Sequence, residues 1–189
     1  MLYNYKMNTI VILASASPRR RELLSQIVDE FKVVSPDADE TLDTLDPVEA
    51  VLTLSRRKAA WVDEVGVIVA ADTVVYDGEI LGKPKDEDDA IKTLLRLSGK
   101  AHEVYTGVTV RCGEKSKTFY DESKVFFKTL NTSDAYDYVR KFRPLDKAGS
   151  YGIQDGVVVE KIEGSYSNVV GLPVEKLKEA LKEFNVDAR

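Results

Sequence analysis

The stretch Leu13-Ala14-Ser15-Ala16-Ser17-Pro18-Arg19-Arg20-Arg21 carries the strongest chemical signal in the chain. A strand ends, a turn of small residues follows, and a helix begins. Ser17 before Pro18 is an N-cap followed by a residue whose missing N–H is not needed at the first helical position. The free N–H groups and the positive end of the helix dipole make that start an anion site. Arginines in the first turn oppose the dipole, so they destabilise the helix unless an anion is bound. The same residues also read as a plain capped helix with solvated arginines. Asp72 is the second candidate. It interrupts the apolar run Val69 to Val75, and burying a lone carboxylate is costly. Such a group is a general base, a metal ligand, or a strand-end carboxylate capping a nearby turn. In Leu81-Gly82-Lys83-Pro84-Lys85, a glycine and a proline hold Lys83 on a short stiff loop. That suits a phosphate, and equally an ordinary turn with exposed lysines.

Three further segments carry weaker signals. Ser35 to Thr41 contains Asp37-x-Asp39-x-Thr41, the pattern of aspartyl-phosphate phosphatases, in which one Asp is the nucleophile and the other the acid/base. Pro36 interrupts the strand where that nucleophile needs support, and the second metal-binding segment of such enzymes is missing. A milder role is an acidic loop that supplies one carboxylate, Glu40, or one that is simply solvated. Arg56-Arg57-Lys58 adds positive charge to a helix, ordinarily on its solvated face. Asp146 to Asp155 holds glycines, Ser150 and Gln154 on a loop. The Gln154 amide, with its acceptor and two donors, is able to read a base edge. A P-loop, a dinucleotide fingerprint and a nucleophile elbow are all absent from the sequence. Arginines at a helix start, lysines on loops and nearby carboxylates are what a magnesium–polyphosphate site needs.

Elements must bring these residues together. Thr9 to Leu13 and Phe31 to Val34 read as strands, Ser17 starts a helix, and Ser35 to Asp46 is a polar loop. A helix is expected from Pro47 to about Val62, with Val48, Val51, Leu52, Ala59 and Val62 on one face. Val65 to Val75 is a long strand returning at Ile80 to Gly82. Asp86 starts a helix that ends at Ser98-Gly99. Val104 to Arg111 and Ser116 to Phe127 form a hairpin, and Ser133 caps a helix ended by Pro144. Val157 to Ile162 is a strand, and Pro173 opens the last helix. Strands alternating with helices, plus a hairpin, predict an α/β protein with a mixed, partly antiparallel sheet.

The 189 residues suit a single domain. A chain of this length buries roughly 70% of its unfolded surface without disulfide or metal staples. One cysteine, Cys112, and one histidine, His102, exclude disulfide frameworks and His-rich zinc sites, leaving hard ions held by carboxylates. Lys and Arg number 27 against 32 Asp and Glu, so a formal charge of −5 argues against non-specific nucleic-acid binding. Ile10 to Leu13 before Ala14-Ser15-Ala16 imitates a signal peptide, but its apolar run of four residues falls short of the roughly seven required. No stretch is long enough to span a bilayer. A cytoplasmic location is expected, with Met1 to Lys6 a dispensable leader.

Taken together, LASASPRRRELL, ADTVV, ILGKP, LSGKAHEVYTGV, YDES, DKAGSYGIQD and GSYSNVVGLP resemble, in order, the Maf family of nucleoside triphosphate pyrophosphatases. This family is sometimes described as septum-formation inhibitors. The resemblance runs from about Ile10 to Phe184, so that residues 1–189 form a single Maf-like domain with 1–6 as the leader. It implies an elongated mixed sheet flanked by helices, with two lobes around a central cleft. It implies hydrolysis of a nucleoside triphosphate to the monophosphate and pyrophosphate, a divalent cation (Mg²⁺, Mn²⁺ or Co²⁺), and often a homodimer. Pro18-Arg19-Arg20, Ala71-Asp72-Thr73 and Gly152-Ile153-Gln154 resemble the branch that prefers dTTP, UTP and modified pyrimidine nucleotides, rather than the 7-methyl-GTP branch. Asp72 is then the proton acceptor and a metal-ligand candidate. Arg19, Thr73 and Gln154 are specificity positions. Ser15, Arg20, Lys58 and Lys83 are phosphate-binding positions, and Glu40 is a metal ligand. Ala71 stands where many members have glycine, and Asp155 falls at a variable position. The other reading implied is a nucleotide-binding regulator of septum formation acting through a protein partner.

Overall fold

Val11, Ile12, Leu13 and Ala14 are buried on both sides, as an apolar run with β-branched residues requires of a central parallel strand. In the computed structural model, which describes residues 10–189, these four form β1 (Val11–Ala14). The leader expected over 1–6 and the strand start at Thr9 lie outside the described residues. Helix α1 (Pro18–Ser25) follows, then β2 (Phe31–Val34), α2 (Pro47–Trp61), β3 (Val67–Tyr76), β4 (Ile80–Leu81) and α3 (Glu87–Leu97). The hairpin β5 (Ala101–Cys112) and β6 (Lys115–Phe127) leads to α4 (Thr132–Phe142), β7 (Val159–Glu163), α5 (Tyr166–Val170) and α6 (Val174–Lys182). Two single-turn 3₁₀ segments, Ala148–Ser150 and Ile153–Asp155, lie between α4 and β7. Among the described residues no helix is long and apolar enough to cross a membrane.

Among the described residues the strands form one seven-stranded sheet in the order β2-β1-β3-β5-β6-β7, with β4 on β3. The pairs β2-β1 and β1-β3 are parallel, and the rest are antiparallel. One face carries two apolar clusters. The first packs Val67, Val69 and Ala71 of β3 with Val108 and Val110 of β5 against α1 and α6. The second packs Val75 of β3, Val104 of β5, and Val125 and Phe127 of β6 against α3 and α4. Period two along β3 and β5 puts Thr73 and Thr106 on this same face, between the clusters and opposite each other. The apolar face is thus divided by a polar belt. The other face carries Ile12, Ala14, Ile68 and Ala70 under Ala59 of α2 and Val62 beyond it. Helix α2 lies directly on β5 because Gly107 has no side chain; a Cβ there would collide with the Val51 carbonyl.

Two expected starts move. The capping box of Asn131 and Asp134 begins α4 before Ser133, satisfying two backbone N–H groups where Ser133 would satisfy one. Strand β3 begins at Val67, and Val65 stands 99% exposed on the approach to it. Helix α5 falls in a segment with no helical apolar period, where Ser165 caps it by accepting from Asn168 N.

Candidate functional site

The cleft exists because β3 is longer than its neighbours on one edge. β1 pairs with it over Val67–Ala70 and β4 over Val75–Tyr76, so Ala71–Val74 has neither strand beside it. Side chains from both faces of β3 reach that gap. Asp72 points toward α2 and Thr73 toward the polar belt, and both line one cleft of about 630 Å³. Ser15, Arg19, Arg20, Glu40, Lys58, Lys83 and Gln154 line it as well. The nine residues that the family resemblance assigns to a site therefore line one cleft, from six separate segments.

On the α1 side, Ser15 Oγ accepts from Ser17 N at 3.1 Å, and Ser17 Oγ accepts from Arg20 N at 3.4 Å. No acidic residue occupies the first turn of α1. Arg19 reaches across to Asp146 at 3.0 Å. Burial raises the Asp146 pKa, but hydrogen bonds from Lys147 and Arg19 hold the carboxyl below its usual range. Arg20 donates from Nε to the Gly171 carbonyl at 2.8 Å and from Nη2 to Thr73 Oγ1 at 3.0 Å. Gly171 ends α5 at φ 125°, a conformation that disfavours any side chain, although a Cβ there would make only ordinary contact with the guanidinium. Burial lowers the Arg20 pKa, with Asp72 pulling it back up; a guanidinium stays charged throughout.

Thr106 Oγ1 donates to the Asn168 carbonyl at 2.9 Å. The 2.9 Å contact between the two threonines is therefore a donation from Thr73 to Thr106. The Thr73 proton is committed, and its oxygen accepts from Arg20. This hydroxyl holds Arg20 and has no proton left to give a base.

The opposite wall is ionic. Lys58 Nζ lies 2.5 Å from Asp72 Oδ1 and 2.8 Å from Glu40 Oε1. Lys58 and Asp72 are nearly buried, with side-chain exposures of 11% and 12%, whereas Glu40 is 57% exposed. The hydrogen bond from Lys58 depresses the Glu40 pKa, with Lys83 and Arg20 assisting. Among the described residues, Oδ2 of Asp72 accepts no hydrogen bond, which leaves it to a water. Lys58 does not share the solvated face expected of Arg56-Arg57-Lys58. It falls seven residues after Val51 and three after Ser55, on the buried side of α2. That spacing was the signal in the sequence.

Glu40 and Asp72 converge on Lys58 Nζ; carboxylate oxygens outside that contact, with oxygens of a bound phosphate, are the hard donors that Mg²⁺-type ions use. The chemistry of the two side chains therefore fits such an ion. Among the described residues no group of three or more His, Cys, Asp or Glu gathers to hold one. Asp39 is occupied otherwise: its carboxylate accepts from Thr41 N at 2.8 Å, a turn contact that leaves the phosphatase-like pattern without its acid/base. Lys83 is exposed on the loop after β4, and Gln154 is exposed on the second 3₁₀ turn. No local signal in the sequence pairs Arg19 with Asp146 or Arg20 with the Gly171 carbonyl, because both contacts span more than 120 residues.

A mixed α/β sheet whose gap gathers arginine charge beside a strand-borne carboxylate defines a class: a protein with a cleft suited to a polyanion beside a carboxylate. The family model described as Maf-like protein matches residues 10–184, and the chain belongs to that family. A relative from Carboxydothermus hydrogenoformans named dTTP/UTP pyrophosphatase is 47% identical over 182 residues, covering 92% of this chain and 98% of the relative. Relatives with the same name from Bacillus cereus strain B4264 and Thermosipho melanesiensis are each 45% identical, covering 94% and 90% of this chain and 96% of each relative.

Proposed function

We propose that this chain hydrolyses pyrimidine nucleoside triphosphates, dTTP and UTP among them, to the monophosphate and pyrophosphate. The observation that carries this reading is the pairing of Asp72 with Lys58 in the same cleft as Arg20. The names of the relatives at 45–47% identity support the substrate. In the mechanism, Asp72 Oδ2 takes a proton from a water whose oxygen attacks the α-phosphorus. The bond from that phosphorus to the β-bridging oxygen breaks, and pyrophosphate leaves with the electron pair. Lys58 fixes the Asp72 carboxylate while Arg19, Arg20 and Lys83 meet the phosphate oxygens, with the Ser15 turn below them. Thr73 acts by orienting Arg20, and Gln154 presents its amide to the base. Glu40, with Asp72, would hold a divalent cation (Mg²⁺, Mn²⁺ or Co²⁺), which would supply neutralisation of the polyphosphate charge. The setting is cytoplasmic nucleotide-pool sanitation, with the enzyme working as a homodimer.

The test is product analysis with dTTP, UTP, ATP and 7-methyl-GTP, assaying pyrophosphate and orthophosphate separately. Pyrophosphate from dTTP and UTP, with little from the purines, is the expected result. Orthophosphate alone, or nucleotide binding without turnover, would overturn the reading.

A further inference from the structure

The Gln154 side chain makes no hydrogen bond to any other described residue, so its own contacts do not fix where its amide points. Its position comes from the backbone turn that carries it. Gly152 and Asp155 flank that turn, with Asp155 N donating to the Gly152 carbonyl at 3.2 Å and Gly156 closing it in the left-handed region at φ 67°. Both flanking residues are tied to one atom of a different element. The phenolic oxygen of Tyr138, on α4, accepts from Gly152 N at 2.9 Å and donates to Asp155 Oδ2 at 2.5 Å.

The directions of these two bonds are fixed by chemistry. A backbone N–H only donates and an ionised carboxylate only accepts, so the one phenolic proton must go to Asp155. The ring is buried at 2% exposure among the second apolar cluster and lies 4.8 Å from the Phe142 ring, tilted by 37°. Burial, and then the Asp155 bond, push the Tyr138 pKa well above the ordinary phenol value, so the proton stays in place at working pH. A Cβ at Gly152 would lie 2.9 Å from Asp155 Oδ2, so added bulk there would displace the carboxylate that Tyr138 holds. Tyr138 is not among the residues that line the cleft. It touches no substrate and holds the two flanks of the turn from behind.

We infer that Tyr138 is a positioning residue for nucleotide discrimination: its hydroxyl clamps Gly152 and Asp155 and so sets where Gln154 meets the base. This rests on the reading of Gln154 given under Proposed function. Losing the hydroxyl frees the turn without removing any group that contacts phosphate, so the effect belongs in KM and in the choice of base.

The test measures kcat and KM by pyrophosphate release, with dTTP and ATP, for the full chain and for Tyr138→Phe, Asp155→Ala, Gln154→Ala and the Tyr138→Phe/Gln154→Ala double variant. Tyr138→Phe keeps the packed ring. Its ratio of kcat/KM for dTTP over ATP is expected to fall about three- to tenfold, the worth of one or two hydrogen bonds, with the loss mainly in the dTTP KM. The double variant is expected to discriminate no worse than Gln154→Ala alone, because the hydroxyl acts only through that side chain. A lower melting temperature with an unchanged ratio, or additive losses in the double variant, overturns the role. Should Tyr138→Phe fail to fold, Asp155→Ala, whose side chain is partly exposed, decides the matter. A fall of about twofold supports the clamp and an unchanged ratio overturns it. A wild-type chain that treats dTTP and ATP alike overturns the parent reading, and this one with it. That failure shows before any variant is made.

Discussion

Arg20 and Lys58 bring cations into the same cleft, and the fold answers the two charges in opposite ways. Lys58 meets two carboxylates, at 2.5 and 2.8 Å, so its charge is cancelled before any ligand arrives. Arg20 rests on a carbonyl and a hydroxyl, and among the described residues it makes no ion pair. Neutral acceptors orient a guanidinium without neutralising it. A unit charge about 4 Å away is attracted by roughly 4 kcal/mol at the effective dielectric of a partly covered site, and on the Arg20 wall that attraction remains for the ligand. On the Lys58 wall the ion pair holds geometry instead. A buried pair of this kind contributes little net stability, because desolvation offsets the attraction. Its use is to fix Asp72. One wall binds and the other handles a proton.

The largest effect is expected on the ionic wall. Asp72→Asn keeps the shape and removes the proton acceptor, so turnover should fall by about 10²-fold or more, measured as steady-state pyrophosphate release. Normal turnover would take the proton away from Asp72. On the other wall, Arg20→Ala should lower kcat/KM by roughly 10²-fold, comparable to losing one donor to a developing charge. Arg20→Lys sharpens the comparison. The ammonium keeps the charge but lacks the planar fork that reaches Gly171 and Thr73 while facing outward, so it should recover only part of the loss. Full recovery would mean that charge alone matters and that the neutral acceptors are incidental.

These two walls differ in how far the sequence foretold them. The arginine wall was legible because its signal is local: Ser17, Pro18 and the arginines occupy one turn, and the conflict with the helix dipole is visible without a structure. The strands and most helix ends were legible for the same reason, since period two and proline or glycine punctuation act over a few residues. The ionic wall was half legible. Asp72 stood out in an apolar strand, but Lys58 hid in a run of three basic residues that composition assigns to solvent. Its burial follows from the angular position it shares with Val51 and Ser55. Asp146, the Gly171 carbonyl and the Tyr138 clamp were not legible, because long-range pairing depends on where loops land. The capping box at Asn131 was missed for a smaller reason: Ser133 is also a good cap, and only reciprocal bonding decides between them.

Beneath the cleft a third group is kept from becoming a cation at all. His102 is 1% exposed, packs edge-on against Phe127 and Tyr151, and shares a 2.8 Å hydrogen bond between Nε2 and the Tyr151 hydroxyl. Burial lowers its pKa to about 4, and the distant Asp77 carboxylate opposes this only partly. The unfolded chain therefore takes up the proton first, near the ordinary value of about 6.5. Stability is full above that pH, falls as the pH drops toward 4, and the loss reaches about 3 kcal/mol. Urea unfolding at pH 7.5, 6 and 5 checks this above the range where most carboxylates titrate. An NMR titration of the single histidine should show no ionisation in the folded chain until near pH 4. A midpoint near 6.5 would remove the effect.

The smallest effect separates two jobs on the ionic wall. Glu40 is 57% exposed and bonds only to Lys58 there, so as a counter-ion it is worth little, under about 1 kcal/mol. Glu40→Gln should leave the melting temperature nearly unchanged. If the same carboxylate helps to hold a divalent cation, the variant should need about tenfold more Mg²⁺ or Mn²⁺ for half-maximal activity, because one of two charged oxygen ligands becomes neutral. Mn²⁺ binding to the free enzyme, followed by electron paramagnetic resonance, should weaken in step. Lys58 holds the Glu40 carboxyl below its usual pKa, so the wild-type contribution persists at neutral pH and is lost only as the pH falls through that lowered value. An unchanged cation requirement would assign Glu40 to Lys58 alone and leave Asp72 as the single carboxylate facing the ion.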